Sequence, residues 1–215
     1  MSRAVIFDLD GTLLNTLGDL CDSVNFVLRS YSLPERSLEE VNSFIGNGIG
    51  ELIRRSLPAD AQDKFNDALD KFREYYGEHS NVKTCVYDGL IEVLTSLRAE
   101  GYRIGVVTNK VDFAAKALCK EYFGELIDIA IGDRPECPRK PAPDAVFEAM
   151  EIMGVDSAIF VGDSDVDIAT AKNAGVPCIA VTWGFRDRAF LEEHGGEIFA
   201  DDADELYQKI KGISI

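Results

Sequence analysis

At 215 residues, with 46% hydrophobic and 28% charged side chains, the chain is globular in composition and long enough for one sizeable core plus a smaller second unit. Its formal net charge of −16 repels nucleic-acid phosphates and anionic membranes, so partners of those two classes are disfavoured unless cations are recruited locally. Cys21, Cys85, Cys119, Cys137 and Cys178 show no CxxC spacing, and no apolar run has the length of a signal peptide or a membrane span. These features predict free thiols rather than a disulfide frame or zinc site, and a cytoplasmic protein.

The first element is the apolar run Ala4 to Phe7, read as a buried parallel strand, which delivers Asp8 and Asp10 into the turn Gly11-Thr12. Residues two apart on a strand point the same way, so both carboxylates can aim at one locus while Leu9 turns back into the protein. Two like charges so close call for a bound metal or a shared proton.

A helical pattern follows. Leu17, Leu20, Val24, Val27 and Leu28 recur at helical spacing up to Leu33-Pro34, and Ser37 stands three residues before Glu40, as in a capping box. The run Gly46-Asn47-Gly48-Ile49-Gly50 is expected to break the pattern before a helix from Glu51 to Leu57 and another from about Ala61 to Tyr76. From Asp88 the pattern alternates. A helix around Leu90 to Leu97 precedes a strand at Arg103 to Val107, with Thr108-Asn109-Lys110 at its carboxyl end. A helix from Asp112 to Tyr122, a strand at Ile127 to Ile131, a helix from Asp144 to Met153 and a strand at Ala158 to Val161 come next. That strand runs into Gly162-Asp163-Ser164-Asp165. The chain closes with a helix from Asp165 to Ala174, a strand at Pro177 to Val181, a short strand at Ile198-Phe199 and an acidic helix from Ala203 to Lys211.

Short apolar strands alternating with helices predict an α/β fold, a doubly wound parallel sheet of Rossmann-like type. An all-helical insertion of roughly seventy residues is too long for a crossover and too patterned for a loop. Two domains are therefore expected, an α/β core of residues 1–14 plus 83–215 and a helical cap of residues 15–82.

Ligands of open parallel sheets bind beyond the carboxyl ends of the strands. Asp8 with Asp10, Thr108 with Asn109, and Asp163 with Asp165 and Asp167 all stand at such ends, while Lys140 lies in the Arg139-Lys140-Pro141-Ala142-Pro143 loop. Each motif alone has an ordinary reading: a strand-to-helix turn for TNK, a loop for KPxP, an acidic helix cap for GDSDVD. It is their convergence that points to chemistry. His79 and His194 match no motif and read as surface residues.

The set Asp8-Leu9-Asp10-Gly11-Thr12, Thr108-Asn109, Lys140-Pro141 and Gly162-Asp163-Ser164-Asp165-Val166-Asp167 resembles the four motifs of the haloacid dehalogenase-like hydrolase superfamily, in order and across nearly the whole chain. The helical insertion resembles that superfamily's type 1 cap. Within it, LGDL, Leu33-Pro34, Ile45-Gly46-Asn47-Gly48 and Arg55-Ser56-Leu57 are most similar to phosphoglycolate phosphatases; Asn15-Thr16 departs from the Asp-Ser often found there.

The resemblance implies a phosphoric monoester hydrolase acting on a small phosphorylated metabolite, with 2-phosphoglycolate the first expectation. It implies Asp8 as nucleophile, Asp10 as acid and base, Thr108 and Asn109 as phosphoryl ligands and Lys140 as the neutralising cation. Mg²⁺ would be held by Asp8, the backbone carbonyl of Asp10 and Asp163, with Asp167 orienting its shell. Asn47 and Arg55 are the expected substrate-selecting residues of the cap. The alternatives are a phosphomutase of the β-phosphoglucomutase kind and a non-enzymatic phosphate-binding module; a dehalogenase lacks the second acid that Asp10 supplies. A monomer or homodimer is expected.

Overall fold

The computed structural model describes residues 3–214. From the amino end, the elements are β1 (Ala4–Phe7), β2 (Leu14–Asn15), α1 (Leu17–Ser30), α2 (Leu38–Phe44), α3 (Gly48–Ser56), a 3-10 segment (Ala59–Lys64), α4 (Phe65–His79) and β3 (Cys85–Val86). There follow α5 (Leu90–Ala99), β4 (Arg103–Val111), α6 (Asp112–Phe123), β5 (Ile129–Asp133), α7 (Asp144–Met153), β6 (Ala158–Gly162), α8 (Asp165–Ala174) and β7 (Cys178–Val181). The last are α9 (Arg188–Glu193), β8 (Phe199–Ala200) and α10 (Ala203–Gly212). The chain divides into two compact units, one formed by residues up to Leu14 together with Val86 onward, the other by Asn15–Cys85.

In the first unit a six-stranded parallel sheet runs in the order β5-β4-β1-β6-β7-β8. The chain winds one way from β1 through β4 to β5, then crosses to β6 and winds the other way. The reversal beside β1 is the topological switch point at which such sheets bind ligands. Strand β1 is buried throughout because alternate residues feed opposite layers. Val5 and Phe7 pack with Leu94, Leu97, Leu118 and Leu206 on one side, while Ala4 and Ile6 pack with Val146, Ala149 and Met153 on the other. Helices thus cover both faces, as the unbroken apolar strands predict.

The second unit is helical. Helix α1 buries Leu20, Val24, Val27 and Leu28 on the stripe expected from their spacing, and the Ser37/Glu40 capping box forms at the start of α2. Buried Asp19 accepts the backbone N–H groups of Val82, Lys83 and Thr84 and the Thr84 hydroxyl, which fixes the returning segment of the unit.

Several elements differ from their sequence expectation. Helix α3 begins at Gly48 rather than Glu51, so part of the expected glycine break is helical; the glycine cost of about 1 kcal/mol per residue is offset by burial of Leu52 and Ile53. Strand β5 begins at Ile129 instead of Ile127, because the Asp128 carboxylate accepts the Ile104 N–H and pairs with Arg98 and Arg103 before the strand is entered. Strand β4 continues beyond Val107 through the polar Thr108-Asn109-Lys110 to Val111, with a register irregularity between Val107 and Val111. Helix α9 and the paired strands β2 and β3 lack a periodic signal because they are so short. Among the described residues, no helix is long and apolar enough to cross a membrane.

Candidate active site

Strand β1 ends at the switch point, and its hydrogen bonding continues one residue further as the Asp8 N–H donates to Val161 O at 2.8 Å. Leu9 is fully buried, whereas Asp8 is 8% exposed. Gly11 then turns the chain with φ +89°, a backbone that only glycine adopts freely. A Cβ there would lie 2.3 Å from Asp163 Oδ2, so the turn can approach the acid only without a side chain.

Lys140 is the electrostatic centre of the cluster. Its Nζ lies 2.8 Å from Asp8 Oδ1 and 2.6 Å from Asp167 Oδ1, and its side chain is only 3% exposed. Burial opposes the ammonium charge, but the Asp167 and Asp8 carboxylates outweigh it and hold the lysine above its ordinary value. The loop carrying it is tied down: Asn109 Nδ2 donates to Lys140 O (3.2 Å), Asn173 Nδ2 to Pro141 O (2.8 Å), and Arg139 pairs with Asp133 (2.8 Å).

Asp167 has both oxygens engaged. While Oδ1 meets Lys140, Oδ2 accepts the N–H groups of Asp163 and Ser164 and the Ser164 hydroxyl. The same contacts make the capping box of α8, so the acidic helix cap and the acidic site are one structure. Asp163, 1% exposed, accepts the Thr12 hydroxyl on Oδ1 (3.2 Å) and the Phe185 N–H on Oδ2 (2.7 Å). Burial, then Asp167 and Asp8, push its carboxyl well above the usual range. Asp8 is likewise pushed up to about 6, by burial first, against the opposing pull of Lys140.

Carboxylate oxygens of Asp8, Asp163 and Asp167 lie within 4.8 Å of one another. Four carboxylates (Asp8, Asp10, Asp163, Asp167) face two buried ammonium groups, Lys140 and Lys110, leaving a formal excess of two negative charges. Hard oxygen donors with that excess fit a divalent cation.

Thr108 and Asn109 are buried at the end of β4, with the Thr108 hydroxyl accepting the Lys110 N–H at 3.2 Å. Asp8, Asp10, Thr108, Asn109, Lys140, Asp163 and Asp167 thus belong to the strand-end region of the core sheet. Asp165 opens α8 half-buried. Asn47 and Arg55 lie in the helical unit, at the start and in the last turn of α3, where Arg55 Nη1 donates to Phe44 O at 3.1 Å. His79 is half-buried rather than a simple surface residue, stacked on Tyr75 at 4.0 Å, while His194 is exposed and stacks on Phe190.

Two contributors carried no assignment from sequence. Lys110 places its Nζ 3.0 and 3.3 Å from the two oxygens of Asp10; its signal was a lysine inside a strand-end motif. The Phe185 backbone supports Asp163 with no side-chain signal at all.

A family model for haloacid dehalogenase-like hydrolases matches residues 5–181. Phosphoglycolate phosphatase 1 of Pseudomonas aeruginosa is 34% identical over 215 residues, covering 96% of this chain and 79% of its own. A phosphoglycolate phosphatase of Cereibacter sphaeroides is 35% identical over 214 residues, covering 96% and 98%. The crystal structure of a candidate phosphoglycolate phosphatase from Lactobacillus delbrueckii subsp. bulgaricus superposes with a TM-score of 0.90 at 32% identity, covering 96% of this chain and 97% of that one.

Proposed function

The chain belongs to the haloacid dehalogenase-like hydrolases and is a phosphoric monoester hydrolase, and from that premise we propose that it is a Mg²⁺-dependent phosphatase whose substrate is 2-phosphoglycolate. The observation that carries the reading is Asp8 at the switch point, held by Lys140 at 2.8 Å and grouped with Asp163 and Asp167. The substrate is taken from the relatives, several of which carry that name over most of this chain.

In this reading an Asp8 oxygen attacks phosphorus as the bond to the ester oxygen breaks, forming an aspartyl-phosphate. Asp10 gives its proton to the departing alkoxide. Water then attacks the same phosphorus, Asp10 takes its proton back, and the bond to Asp8 breaks to release phosphate and restore the nucleophile. Lys140 stabilises the negative charge that spreads over the phosphoryl oxygens. Thr108, at the neighbouring strand end, is a phosphoryl ligand, and Asn109 fixes the Lys140 loop through its amide. Asp8, the Asp10 carbonyl and Asp163 would hold Mg²⁺, and Asp167, both of whose oxygens already have partners, orients Asp163 and Lys140. When bound, the cation lowers the repulsion between the phosphoryl group and the carboxylates.

Asn47 and Arg55 are proposed, on residue type, to favour an ester that also carries a carboxylate. Five free cysteines fit a reducing, cytoplasmic setting. The test is phosphate release from a panel of small phosphate monoesters with Mg²⁺, alongside Asp8→Asn. Turnover highest with 2-phosphoglycolate and abolished in D8N is expected. Release from no member, or retained turnover in D8N, overturns the reading.

A further inference from the structure

We propose that Lys110 is the positioning residue for Asp10, a role that rests on the acid and base assignment of Asp10 above. Its ammonium contacts both carboxylate oxygens, at 3.0 and 3.3 Å, so the contact constrains the plane of the carboxylate as well as its position. A single contact to one oxygen would leave the carboxylate free to rotate.

The load on the two buried lysines is divided. Lys140 is engaged by Asp8 and Asp167, while Lys110 is engaged by Asp10. The Lys110 side chain is 4% exposed against 17% for Asp10, so the lysine lies beneath the acid rather than beside it in solvent. A buried ammonium is costly unless a partner compensates it, and Asp10 compensates this one through both of its oxygens. What it can do is hold the acid above it.

The backbone of Lys110 is itself fixed. Its N–H donates to the Thr108 hydroxyl at 3.2 Å, and β5 approaches so closely that a Cβ on Gly132 would lie 2.6 Å from Lys110 O and 2.4 Å from Asp112 Cα. The Gly132 N–H also donates to Asp112 Oδ1 at 3.0 Å. The irregular β4 to β5 register between Val107 and Val111 is therefore a locked feature, not a loose strand end. Asp10, for its part, leaves β1 through a bridge to Leu14. Lys110 thus ties the second acid to the strand that also carries Thr108 and Asn109. Proton transfer to a leaving oxygen is sensitive to displacements of this size, since misplacement by about 1 Å can cost about 100-fold in rate.

The experiment measures steady-state phosphate release by the Mg²⁺-loaded enzyme and its variants with 2-phosphoglycolate, over hours so that slow variants are read. Lys110→Met is expected to lose about 10- to 100-fold in kcat with KM and the inhibition constant of inorganic phosphate within about threefold. Lys110→Arg, which keeps a charged donor, should recover most of that loss, and D10N/K110M should turn over no more slowly than D10N. If K110M does not fold, as judged by thermal unfolding, Lys110→Gln takes its place with the same expected split. An unchanged kcat, a loss confined to KM, no recovery by arginine, or a further tenfold loss when K110M is added to D10N overturns the proposal. Impaired D10N beside unimpaired K110M overturns this inference alone. Unimpaired D10N overturns the assignment of Asp10, and this inference with it.

Discussion

Replacing Lys140 by Met tests the electrostatic reading of the site, because it removes the charge while keeping most of the buried stem. Lys140 compensates two carboxylates, Asp8 at 2.8 Å and Asp167 at 2.6 Å, and is 3% exposed. Breaking a buried pair by deleting one partner costs about 3 to 5 kcal/mol. The loss has a ceiling, since an orphaned carboxylate can take up a proton. From the ordinary value of 3.8, that protonation costs about 5 kcal/mol at about pH 7.5 and about 1.6 kcal/mol at about pH 5. The sign follows from linkage. Without the lysine, whose charge pulls the Asp8 carboxyl down, the folded-state value of Asp8 rises further, and a group raised on folding contributes stability that is present at low pH and lost as pH rises through its folded value. K140M should therefore be destabilised by about 3 to 5 kcal/mol at about pH 7.5 and by under about 2 kcal/mol at about pH 5. Urea unfolding with chelator present, followed by the fluorescence of Trp183, reads this directly. Trp183 is the single tryptophan, and its indole N–H donates to Thr12 O at 3.1 Å beside the site. A deficit below about 1 kcal/mol, or one equal at both pH values, refutes the reasoning.

Two further outcomes follow from the same structure. Asp8 is pushed up to about 6, so below that pH it holds a proton that a cation must displace; isothermal titration should find Mg²⁺ binding about tenfold weaker at about pH 5 than at about pH 7.5. Pushed up to about 12 mainly by burial, the thiols of Cys119 and Cys178 should resist iodoacetamide at about pH 8 while exposed Cys85 is labelled first, as mass spectrometry would read.

Much of the site is legible in the chain because its elements announce themselves locally. The apolar run Ala4 to Phe7 marks a strand buried on both faces, and Asp8 and Asp10 follow at strand-end positions. The Ser164 to Asp167 spacing marks the start of α8, and the structure shows how the acid that caps the helix also reaches Lys140. The extent of β4 was not legible, since Thr108-Asn109-Lys110 has the composition of a turn. It stays extended because those polar side chains find buried partners in Asp10 and the Lys140 loop. The beginning of α3 at Gly48 shows the same limit, as glycine marks a place where a helix is costly rather than one where it is forbidden.

The sequence by itself determined which short segments are strands or helices and which of them end in acids, because periodicity and capping act over a few residues. Only the tertiary structure decided the strand order, and with it which charges meet. Asp10 meets Lys110 across 100 residues, Thr12 meets Asp163 across 151, and Phe185 supports Asp163 from a loop 22 residues away. Those pairings exist because packing two helical layers onto one sheet brings the strand ends to a common edge, where burial leaves each carboxylate dependent on the particular donor placed against it.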